Sequence, residues 1–463
     1  MNTVQYPQGR RLVRRATQLV IAFCLILSAV QAGDWSSFQG PKCNSVSSET
    51  GLAHKWPATG PRVLWTVPVG EGYAGPAIRD NQVFLLDRQG TTTDTLRVLD
   101  LKDGHELWSY SYKAECEKKY AYYGTRSTPT VTEDTVYLIG PMGDVLAIDR
   151  KTHQPIWQRN LIKEFEGSSF PAYGVSTSPI LYKDWVLVAL QNHNCGLAAL
   201  DRKTGKTVWE TPADPLHASF NGMYQTPHVL MLDGVDQIIL AGLTTDKQAQ
   251  KGGKVVSYDA KDGHPLWMVE HDTGFMATPI ALGPKRVLLS GDYGGGTMLI
   301  EVKKPAQGSK GAFTTKVIFD TPDYGSIFHV PIVYEGNIYL NSTGKDHRDG
   351  FVCAGMDGKL RWQTTNSRKL PNYVPNLPSF DSGASLLADG LLFIIDGEKG
   401  SLHLVEPNPK KYKELARVEK ILEGKEMWAP MALSNGKLLI RDQKQMKCLD
   451  VKNPTQAVAS GQK

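Results

Sequence analysis

A unit of about 50 residues repeats eight times along this chain of 463 residues, and no other feature constrains its fold as strongly. Each unit opens on a proline, replaced once by an alanine, and successive opening positions lie 46 to 53 residues apart. The opening residues are Pro76, Pro129, Pro179, Pro227, Pro279, Pro331, Ala384 and Pro430. A regular period of this length, filled with short apolar runs, is typical of the blades of a β-propeller.

Each unit is expected to contain four strands that run as an antiparallel meander. A second strand such as residues 83–86 follows the opening proline, and a third strand ends in an acidic residue such as Asp201. A Thr-Gly or Asp-Gly turn then leads to the fourth strand. Short runs of Val, Ile, Leu and Tyr between such turns are strand and hairpin signals. Helical periodicity is nearly absent, and only residues 411–422 suggest a short loop helix.

Tryptophans stand on most of the expected fourth strands, and we interpret them as structural. A large flat ring at this position covers the apolar edge of its own sheet and docks against the neighbouring blade. The Asp and Gly that precede it form the tight turn. The fifth unit lacks its tryptophan and inserts a loop at 303–311. The predicted docking residues are Trp65, Trp108, Trp157, Trp209, Trp267 and Trp362.

The two ends of the repeat array complement one another. The eighth unit stops after its third strand at Asp450, whereas residues 61–65 resemble a fourth strand with no preceding three. Pairing the two completes a ring and removes exposed sheet edges. We therefore predict a monomeric, all-β protein: an eight-bladed β-propeller of four-stranded antiparallel blades over 61–451, closed by an N-terminal strand. An extended segment (33–60) precedes the ring and a disordered tail (452–463) follows it.

Two motifs resemble a known family. The run from Ala199 to Trp209, A-x-D-x-x-T-G-x-x-x-W, resembles the tryptophan-docking repeat of the eight-bladed pyrroloquinoline quinone (PQQ) propellers. The run W-x-x-F-x-G-P at 35–41 resembles secreted bacterial PQQ-like repeat proteins, which are related to the assembly lipoprotein of outer-membrane β-barrels. The resemblance covers about residues 34–451 and implies the fold. It leaves the function open, because the superfamily includes dehydrogenases, scaffolds and sensor domains.

The first 32 residues predict a cleaved signal peptide. Four arginines within 10–15 precede an apolar run at 19–27 and a small-residue site that ends at Ala32, so the mature chain is expected to begin near Gly33. Loss of those four arginines lowers the formal net charge from +5 to +1, which leaves no basic field to attract nucleic acid or an anionic membrane. No other stretch approaches the length of a membrane span. We expect a periplasmic or secreted protein.

Five cysteines remain after this cleavage, and their odd number leaves at least one unbridged in an oxidising compartment. Cys43 and Cys116 lie in expected loops and are the better disulfide candidates. Cys195 and Cys353 fall on expected third strands, where a buried thiol is the simpler interpretation. The sequence leaves the pairing of these residues and of Cys448 open.

The resemblance also bears on cofactors. The PQQ dehydrogenases hold their quinone at the centre of the ring with two adjacent cysteines, a tryptophan floor and a calcium ion bound by Glu, Asn and Asp side chains. This sequence has no adjacent cysteines, and the Gly-x-Ser-x-Gly and His-Glu-x-x-His motifs are also absent. We therefore expect no catalytic residue, no metal site, and neither PQQ nor calcium.

Residues just before each opening proline form the candidate binding site. In a propeller this part of the chain enters the innermost strand and lines one mouth of the central channel. Aromatic faces with a few polar groups are typical of a ligand or peptide site, and Arg126 suits a carboxylate. The alternative interpretation is that these side chains only fill the channel entrance. The candidate residues are Tyr73, Arg126, Tyr173, Tyr224, Phe328, His329, Asp381 and Trp428.

Three functions remain open at this stage. The first is a non-catalytic scaffold of the cell envelope that binds a protein, peptide or glycan of unknown identity. The second is a PQQ-dependent oxidoreductase of the dehydrogenase type. The third is a carbohydrate-processing accessory protein, suggested by the aromatic loops at 120–123 and 170–173. The missing cysteine pair favours the first.

Overall fold

The computed structural model describes residues 33–454, except 117–123, 166–170, 172, 193–194, 213–223, 243–252, 272–276, 292–294, 307–311, 344–348, 365–376 and 379. The predicted signal peptide and most of the predicted tail therefore lie outside the described residues. The described residues form eight four-stranded antiparallel sheets and one short helix, Leu161–Glu164. The predicted eight-bladed propeller is confirmed. No helix within the described ranges is long and apolar enough to cross a membrane.

Blades 1 to 7 each use four consecutive strands, numbered here from the channel outward. Blade 1 consists of Ala77–Arg79, Gln82–Gln89, Thr93–Asp100 and Glu106–Lys113; blade 2 of Thr130–Val131, Thr135–Ile139, Asp144–Asp149 and Pro155–Asn160; blade 3 of Ile180–Tyr182, Trp185–Ala189, Leu197–Asp201 and Thr207–Glu210. Blade 4 consists of Val229–Leu232, Val235–Gly242, Gly253–Asp259 and Pro265–His271; blade 5 of Ile280–Ala281, Arg286–Ser290, Thr297–Lys303 and Thr314–Thr321. Blade 6 consists of Ile332–Tyr334, Asn337–Thr343, Asp349–Gly355 and Leu360–Gln363; blade 7 of Ser385–Ala388, Leu391–Ile395, Leu402–Val405 and Glu414–Val418.

Blade 8 is built from both ends of the array. Its strands are Ala432–Ser434, Lys437–Arg441, Gln445–Asp450 and, as the fourth, Arg62–Pro68. The fourth strand pairs antiparallel with the third, from Arg62 opposite Asp450 to Pro68 opposite Gln445. An ion pair of 2.8 Å between the Arg62 and Asp450 side chains lies at the end of this pairing. Closure by the N-terminal strand is thus confirmed.

The first strand of every blade begins one or two residues after its opening residue. Pro129 directly precedes Thr130–Val131, and Pro227 precedes Val229–Leu232 by two positions. Proline has no amide hydrogen to contribute to a sheet, and it is therefore tolerated where a strand begins. The repeat positions read from the sequence are strand starts.

The helix suggested for residues 411–422 is wrong. Glu414–Val418 is the fourth strand of blade 7 and pairs along its length with Leu402–Val405. Blade 7 needs a fourth strand to complete its sheet. The hydrogen bonds of that pairing outweigh the local helical preference of the segment.

Most fourth strands place an aromatic ring against the turn of the next blade. Trp157 lies opposite Ala147 of its own third strand, and its indole Nε1 donates a 2.9 Å hydrogen bond to the carbonyl of Arg202 in blade 3. Gly205, in the same blade 3 turn, has φ +70°, and a Cβ added there would lie 2.6 Å from the Trp157 ring. The turn glycine therefore serves two purposes, since it adopts a left-handed backbone and makes room for the ring.

Two blades vary this contact. In blade 5, Phe319 stands where the tryptophan is missing and packs on Gly358 of blade 6, where an added Cβ would lie 2.5 Å from the ring. In blade 2, His153 replaces the turn glycine at φ +60° and stacks on Trp108 of blade 1 with ring centroids 4.2 Å apart. The contact between neighbouring blades is conserved in position even where the residue types change.

Hydroxyl groups beside the opening prolines connect neighbouring blades around the channel. The amide of Thr128 donates to Ser178 Oγ (3.0 Å), and the amide of Ser178 donates to Thr226 Oγ1 (3.0 Å). The Thr278 hydroxyl donates to the carbonyl of Thr226 (3.1 Å). Blades 2 to 5 are therefore linked in series beside their opening prolines.

The segment before the closing strand crosses the channel. The carbonyl of Ser36 accepts a hydrogen bond from the amide of Val131 in blade 2 (2.8 Å), and Gln39 Oε1 accepts one from the amide of Val330 at blade 6 (3.2 Å). Blades 2 and 6 lie opposite each other in a ring of eight. Because only three positions separate Ser36 from Gln39, this part of the chain spans the interior of the ring.

The same segment then follows blades 7 and 8. The amide of Ser47 donates to the carbonyl of Leu387 (2.8 Å), and the Glu49 carboxylate accepts hydrogen bonds from the amides of Asn435 and Gly436 (2.6 and 2.7 Å). Residues 34–53 therefore form an integral part of the ring, and we call them the crossing segment.

Cys43, Cys195, Cys353 and Cys448 are unbridged, buried thiols. Burial raises the pKa of the Cys43 thiol and of the Cys448 thiol to about 12. Cys43 was one of the two disulfide candidates, and the structure places it in the interior as a protonated thiol instead. Such cysteines behave as small apolar residues.

Candidate functional site

A cavity of about 280 Å³ lies at the channel mouth that the opening residues face. The residues that line it come from the segments just before the first strands of blades 1 to 6 and 8, and from the crossing segment. The lining residues are Phe38, Tyr73, Arg126, Tyr173, Ser176, Tyr224, Thr226, Thr278, Ile327, Phe328, His329, Trp428 and Pro430. Seven of the eight candidate residues are among them, and the exposed Asp381 is not.

An aromatic stack forms one wall of the cavity. The rings of Tyr73 and Trp428 are 5.5 Å apart and nearly parallel (19°), and the rings of Phe328 and Trp428 are 5.2 Å apart (25°). The indole therefore stacks with two neighbouring rings, whereas Phe328 is 39% exposed. Offset stacking of this kind stabilises the wall in one arrangement.

The hydroxyl of Tyr73 anchors the stack to blade 8 by donating to the Glu426 carboxylate. Gln443 supports both partners, because its Oε1 accepts from the amide of Gly72 (2.7 Å) and its Nε2 donates to the carbonyl of Glu426 (3.3 Å). These contacts bridge the junction between blades 8 and 1, where the ring is closed. The wall and the closure thus depend on the same part of the molecule.

Arg126 supplies the positive charge of the cavity. Its guanidinium lies over the Tyr73 ring, 5.4 Å from the centroid, and its Nη1 donates to the carbonyl of Gly124 (2.8 Å). Of the thirteen lining residues it is the only one with a permanent charge, and none of the thirteen is acidic. The other twelve described lining residues are apolar, aromatic or neutral polar side chains.

His329 lies on the opposite side of the ring and is only 4% exposed. Burial lowers the pKa of its imidazole to about 4, although the carbonyls of Ser382 and Trp428 favour the protonated form. The ring is therefore neutral at pH 7. Its Nε2 has no hydrogen-bond partner among the described residues. A buried nitrogen in this state is costly unless water or a ligand meets it.

Tyr173 and Tyr224 form a second aromatic wall with ring centroids 6.1 Å apart. Tyr173 is 50% exposed, and the backbone amide of Tyr224 donates to Gln191 Oε1 (3.1 Å). The exposed tyrosine face makes the cavity open to large partners as well as to small ligands.

Sequence reasoning missed Phe38, which the crossing segment brings into the cavity. Gln39 beside it holds the facing loop, with Nε2 donating to the carbonyl of Phe328 (3.5 Å) and Oε1 accepting from Val330. Gly40 adopts φ +86° with the Trp35 ring directly beside it, where a Cβ would lie 3.0 Å away. The motif at 35–41 was therefore a signal for this site, although it was interpreted only as a family resemblance.

A buried Ser-His-Glu group in blade 7 has the connectivity of a hydrolase triad. Ser401 Oγ lies 2.8 Å from His403 Nε2, and His403 Nδ1 lies 2.7 Å from Glu414 Oε2, which also accepts from the Tyr412 hydroxyl (2.8 Å). Ser401 is only 1% exposed, so a substrate has no access to its oxygen. The group is a structural network in the one blade with an alanine, Ala416, at the tryptophan position.

Two acidic groups in the described residues bring carboxylates close to a histidine. They are Asp100, Asp103 and His105 in blade 1, and Asp259, Asp262 and His264 in blade 4. In the first, Asp103 Oδ1 accepts hydrogen bonds from the amide (3.1 Å) and the ring Nδ1 (2.6 Å) of His105. Such bonds are those of an Asx turn between the third and fourth strands, and the group is part of the turn.

The comparisons with known proteins concern the whole ring. A family model described as "Outer membrane protein assembly factor BamB" (PQQ_2) matches residues 37–233 and 197–458. The BamB of Shewanella oneidensis is 23% identical over 304 residues, which cover 65% of this chain and 67% of that protein. The lupanine 17-hydroxylase [cytochrome c] of a Pseudomonas species is 26% identical over 204 residues, which cover 41% of this chain.

The matched part spans only 28% of the length of that lupanine 17-hydroxylase. Among solved structures, the quinohemoprotein alcohol dehydrogenase from Comamonas testosteroni superposes with a TM-score of 0.62 at 12% identity, covering 90% of this chain and 80% of that one. This likeness concerns the fold alone.

Proposed function

Because this chain belongs to the family described as outer membrane protein assembly factor BamB, we propose that it is a non-catalytic scaffold of the cell envelope. Its binding surface is the cavity at the channel mouth, to which seven of the eight blades contribute. The exposed rings of Tyr173 and Phe328, in the same cavity as the Arg126 guanidinium, support this role, since aromatic residues and arginine dominate binding energy at protein interfaces. The partner is an envelope protein, a peptide or a glycan.

The envelope location rests on two observations. The first 32 residues have the order of charges, apolar residues and small residues that a signal peptide requires, and relatives carry the name of an outer membrane assembly factor. We propose that the mature protein is a periplasmic or secreted monomer.

The proposal excludes PQQ as a resident cofactor. A planar quinone with several carboxylates needs a free aromatic floor and several cations, whereas Trp428 already stacks with Tyr73 and Phe328, and Arg126 is the only permanently charged residue in the described lining. A calcium ion needs oxygen ligands, and none of the thirteen described lining residues is Asp or Glu. The residues present do not fit the group.

The scaffold is tested by capture from a bacterial envelope extract. The purified protein and the variants Arg126→Ala and Phe328→Ala serve as baits, and captured proteins are identified by mass spectrometry. A genuine partner is expected to bind the variants about 5- to 150-fold more weakly in a titration, which corresponds to 1–3 kcal/mol. Arg361→Ala, at an exposed position of the outermost strand of blade 6, is the matched control and should bind like the unmodified protein. Equal capture by all four baits contradicts the proposal.

The runner-up is a quinone-dependent oxidoreductase, favoured by the names of relatives such as the lupanine 17-hydroxylase. Addition of PQQ and calcium to the purified protein distinguishes the two. A scaffold is expected to show neither a bound quinone absorption band nor dye reduction with alcohols or sugars. Appearance of both would replace the scaffold by the enzyme.

A carbohydrate-processing accessory role has weaker support. Of the two aromatic loops that suggested it, residues 120–123 lie outside the described residues, and only Pro171 and Tyr173 of the other are described. An oligosaccharide array without binding eliminates this function.

A further inference from the structure

The crossing segment binds several blades at the inner edge of the first strand, which is the edge that faces the channel. The amide and carbonyl of Ile78 in blade 1 both bond to the backbone of Trp35 (2.8 and 2.9 Å). Leu387 in blade 7 bonds in the same way, to the carbonyl of Ser45 and the amide of Ser47 (2.9 and 2.8 Å). An extended chain is therefore held there by main-chain hydrogen bonds, as when a peptide binds along the edge of a sheet.

These contacts use one position of the repeat, two residues before the turn that leads to the second strand. In most blades that turn has two residues and closes on a hydrogen-bonded pair, so the preceding pair directs its N–H and C=O away from the second strand and toward the channel. The turn of blade 5 is longer, but Leu282 still donates to the carbonyl of Arg286 (2.8 Å) and leaves the preceding residue in the same state. The residues at this position in blades 3 to 6, which we call the inner-edge residues, are Leu181, Met231, Ala281 and Val333.

The exposure of this position depends on whether the crossing segment lies over it. Among the described residues, that segment makes such bonds to blades 1, 2 and 7, where the side chain is between 0 and 3% exposed. In blade 4, by contrast, Met231 is 54% exposed, and Ala281 of blade 5 is also exposed. Leu181 and Val333 are half-buried. Four consecutive blades therefore present an apolar side chain and outward backbone groups at the position that binds a chain elsewhere in the ring.

A groove of about 400 Å³ lies beside this surface. The crossing segment contributes Asn44 and Val46 to its lining, and blades 5 and 6 contribute Ala281, Leu282 and Val333. Two of the four inner-edge residues thus lie in a groove that the crossing segment also lines. The exposed surface is continuous with the surface on which this segment binds.

The crossing segment also indicates which kind of chain suits the inner edge. At Leu387 its two serines, Ser45 and Ser47, make the backbone bonds, and Val46 between them packs against the apolar core of blades 6 and 7. Side chains of an extended chain point alternately to opposite sides, so every second residue can contact the blades. Small residues between the apolar ones allow the two backbones to approach.

We propose that the inner edges of blades 3 to 6 bind an extended segment of a partner polypeptide in which apolar residues alternate with small ones. The segment is held by the kind of backbone hydrogen bond that the crossing segment makes to blades 1, 2 and 7. This site lies at the end of the first strands that is remote from their opening residues, and therefore opposite the cavity. It goes beyond the proposed function, because it is a second binding surface.

Fluorescence anisotropy with two synthetic peptides tests the proposal. The probe is a labelled peptide with capped ends and the sequence Ser-Val-Ser-Val-Ser-Val-Ser, and the control peptide carries an N-methyl group on each serine amide. The control is expected to bind the full mature protein roughly tenfold or more weakly, because it keeps every side chain and loses backbone donors. Equal binding of the two peptides, or no binding of the probe, overturns the proposal.

Proline variants locate the site. Met231→Pro and Ala281→Pro each remove an amide that points into the channel and makes no bond to the second strand, so the sheet should tolerate them. Each is expected to weaken binding of the probe roughly tenfold, whereas Met231→Leu, which keeps the amide, should bind like the unmodified protein. Circular dichroism shows which variants are folded. If neither proline variant folds, Met231→Asp replaces them, since it keeps the fold and places a charge where the apolar side chain of the peptide lies.

The outermost strands are the competing site, because they are also sheet edges. Val208, on the fourth strand of blade 3, is 45% exposed, and Val208→Asp is the matched control. Unchanged binding in Val208→Asp together with weaker binding in the Met231 or Ala281 variants supports the inner edge. Weaker binding in Val208→Asp with unchanged binding in the folded inner-edge variants assigns the peptide to the outer edge and overturns the proposal.

Discussion

The contact between Trp157 and Gly205 shows how a single residue position serves two requirements. The glycine has φ +70° and touches the indole of the neighbouring blade. Gly234, in a turn of blade 4, has φ +80° with nothing within 4 Å of an added Cβ. Gly234 therefore needs glycine only for its left-handed backbone, whereas Gly205 needs it also to make room for the indole.

We expect Gly205→Ala to destabilise the protein more than Gly234→Ala. Both substitutions lose roughly 1–2 kcal/mol of stability because alanine disfavours a left-handed backbone. Gly205→Ala loses about 1–3 kcal/mol more, because its Cβ would overlap the Trp157 ring. The free energy of unfolding in urea measures the difference. Equal losses would mean that the indole moves aside freely and that the docking contact contributes little.

The neutral, buried His329 predicts a loss of stability in acid. The unfolded chain takes up a proton below about pH 6.5, whereas the native imidazole does so only near pH 4. The unfolded state then binds more protons, so stability falls as the pH falls from 6.5 to 4, by up to about 3 kcal/mol.

The loss of stability in acid is tested by unfolding the unmodified protein and His329→Asn in urea at pH 7 and at pH 4.5. The variant is expected to lose about 2–3 kcal/mol less between the two pH values. His54→Asn, at an exposed histidine, is the control and should keep the full loss. A variant as acid-sensitive as the parent would show that folding does not lower the pKa of His329.

At the residue scale, the sequence predicted what recurs and missed what occurs once. The opening prolines and the tryptophans repeat, so their spacing revealed their roles. Phe38 and Gln39 lie outside the repeat, and their contacts are with Phe328 and Val330, about 290 positions away. No local pattern encodes such a contact. Asp381 had the expected spacing, and the structure places it on the exposed surface outside the cavity.

Among the elements, blade 7 is the one that replaces ring docking by polar contacts. Burial raises the pKa of Glu414, but hydrogen bonds from His403 and Tyr412 outweigh this effect and hold the pKa below its usual value. The carboxylate therefore stays ionised and completes the network with Ser401. A fourth strand without a tryptophan is thus held by hydrogen bonds of its own sheet.

We expect His403→Leu to cost about 1–3 kcal/mol of stability, because it leaves Ser401 and Glu414 without their shared partner. The free energy of unfolding measures this cost. The exposed His264 in blade 4 provides the matched control, and His264→Leu should change stability by less than about 0.5 kcal/mol. A neutral effect of His403→Leu would show that packing alone holds blade 7.

The strand order within the blades could be predicted from alternating apolar residues and turn glycines. The fourth strand of blade 7 could not, because Glu414–Val418 lacks the tryptophan that marks most of the others and carries two charged residues, Glu414 and Arg417. Its strand conformation comes from pairing with Leu402–Val405, a tertiary effect.

For the whole molecule, the sequence predicted eight blades from the number of repeats, and it predicted the closing strand because the eighth repeat contains only three strands. The last unit lacked a strand, and the beginning of the chain had one to supply. The crossing segment was predicted only as extended chain, because a stretch that hydrogen-bonds to five different blades has no periodicity of its own.

Two deletions distinguish the contribution of the closing strand to stability from that of the crossing segment. Deletion of residues 33–60 removes the crossing segment and keeps the closing strand, whereas deletion of 33–68 removes both. We expect the longer deletion to lower the melting temperature further and to cause aggregation, because it exposes the edge of Gln445–Asp450. Scanning calorimetry and size-exclusion chromatography measure both effects. Identical melting and elution of the two truncations would contradict closure by Arg62–Pro68.

The pairing of Arg62 with Asp450 joins positions 388 residues apart. A ribosome adds about 5–20 residues per second, so roughly 20 to 80 s pass between synthesis of the first of these residues and the second. During that interval the nascent chain has seven blades in various stages of completion and an eighth that lacks its strands. The native ring is therefore a product of the finished polypeptide, because a chain that ends before residue 445 has no partner strand for Arg62–Pro68.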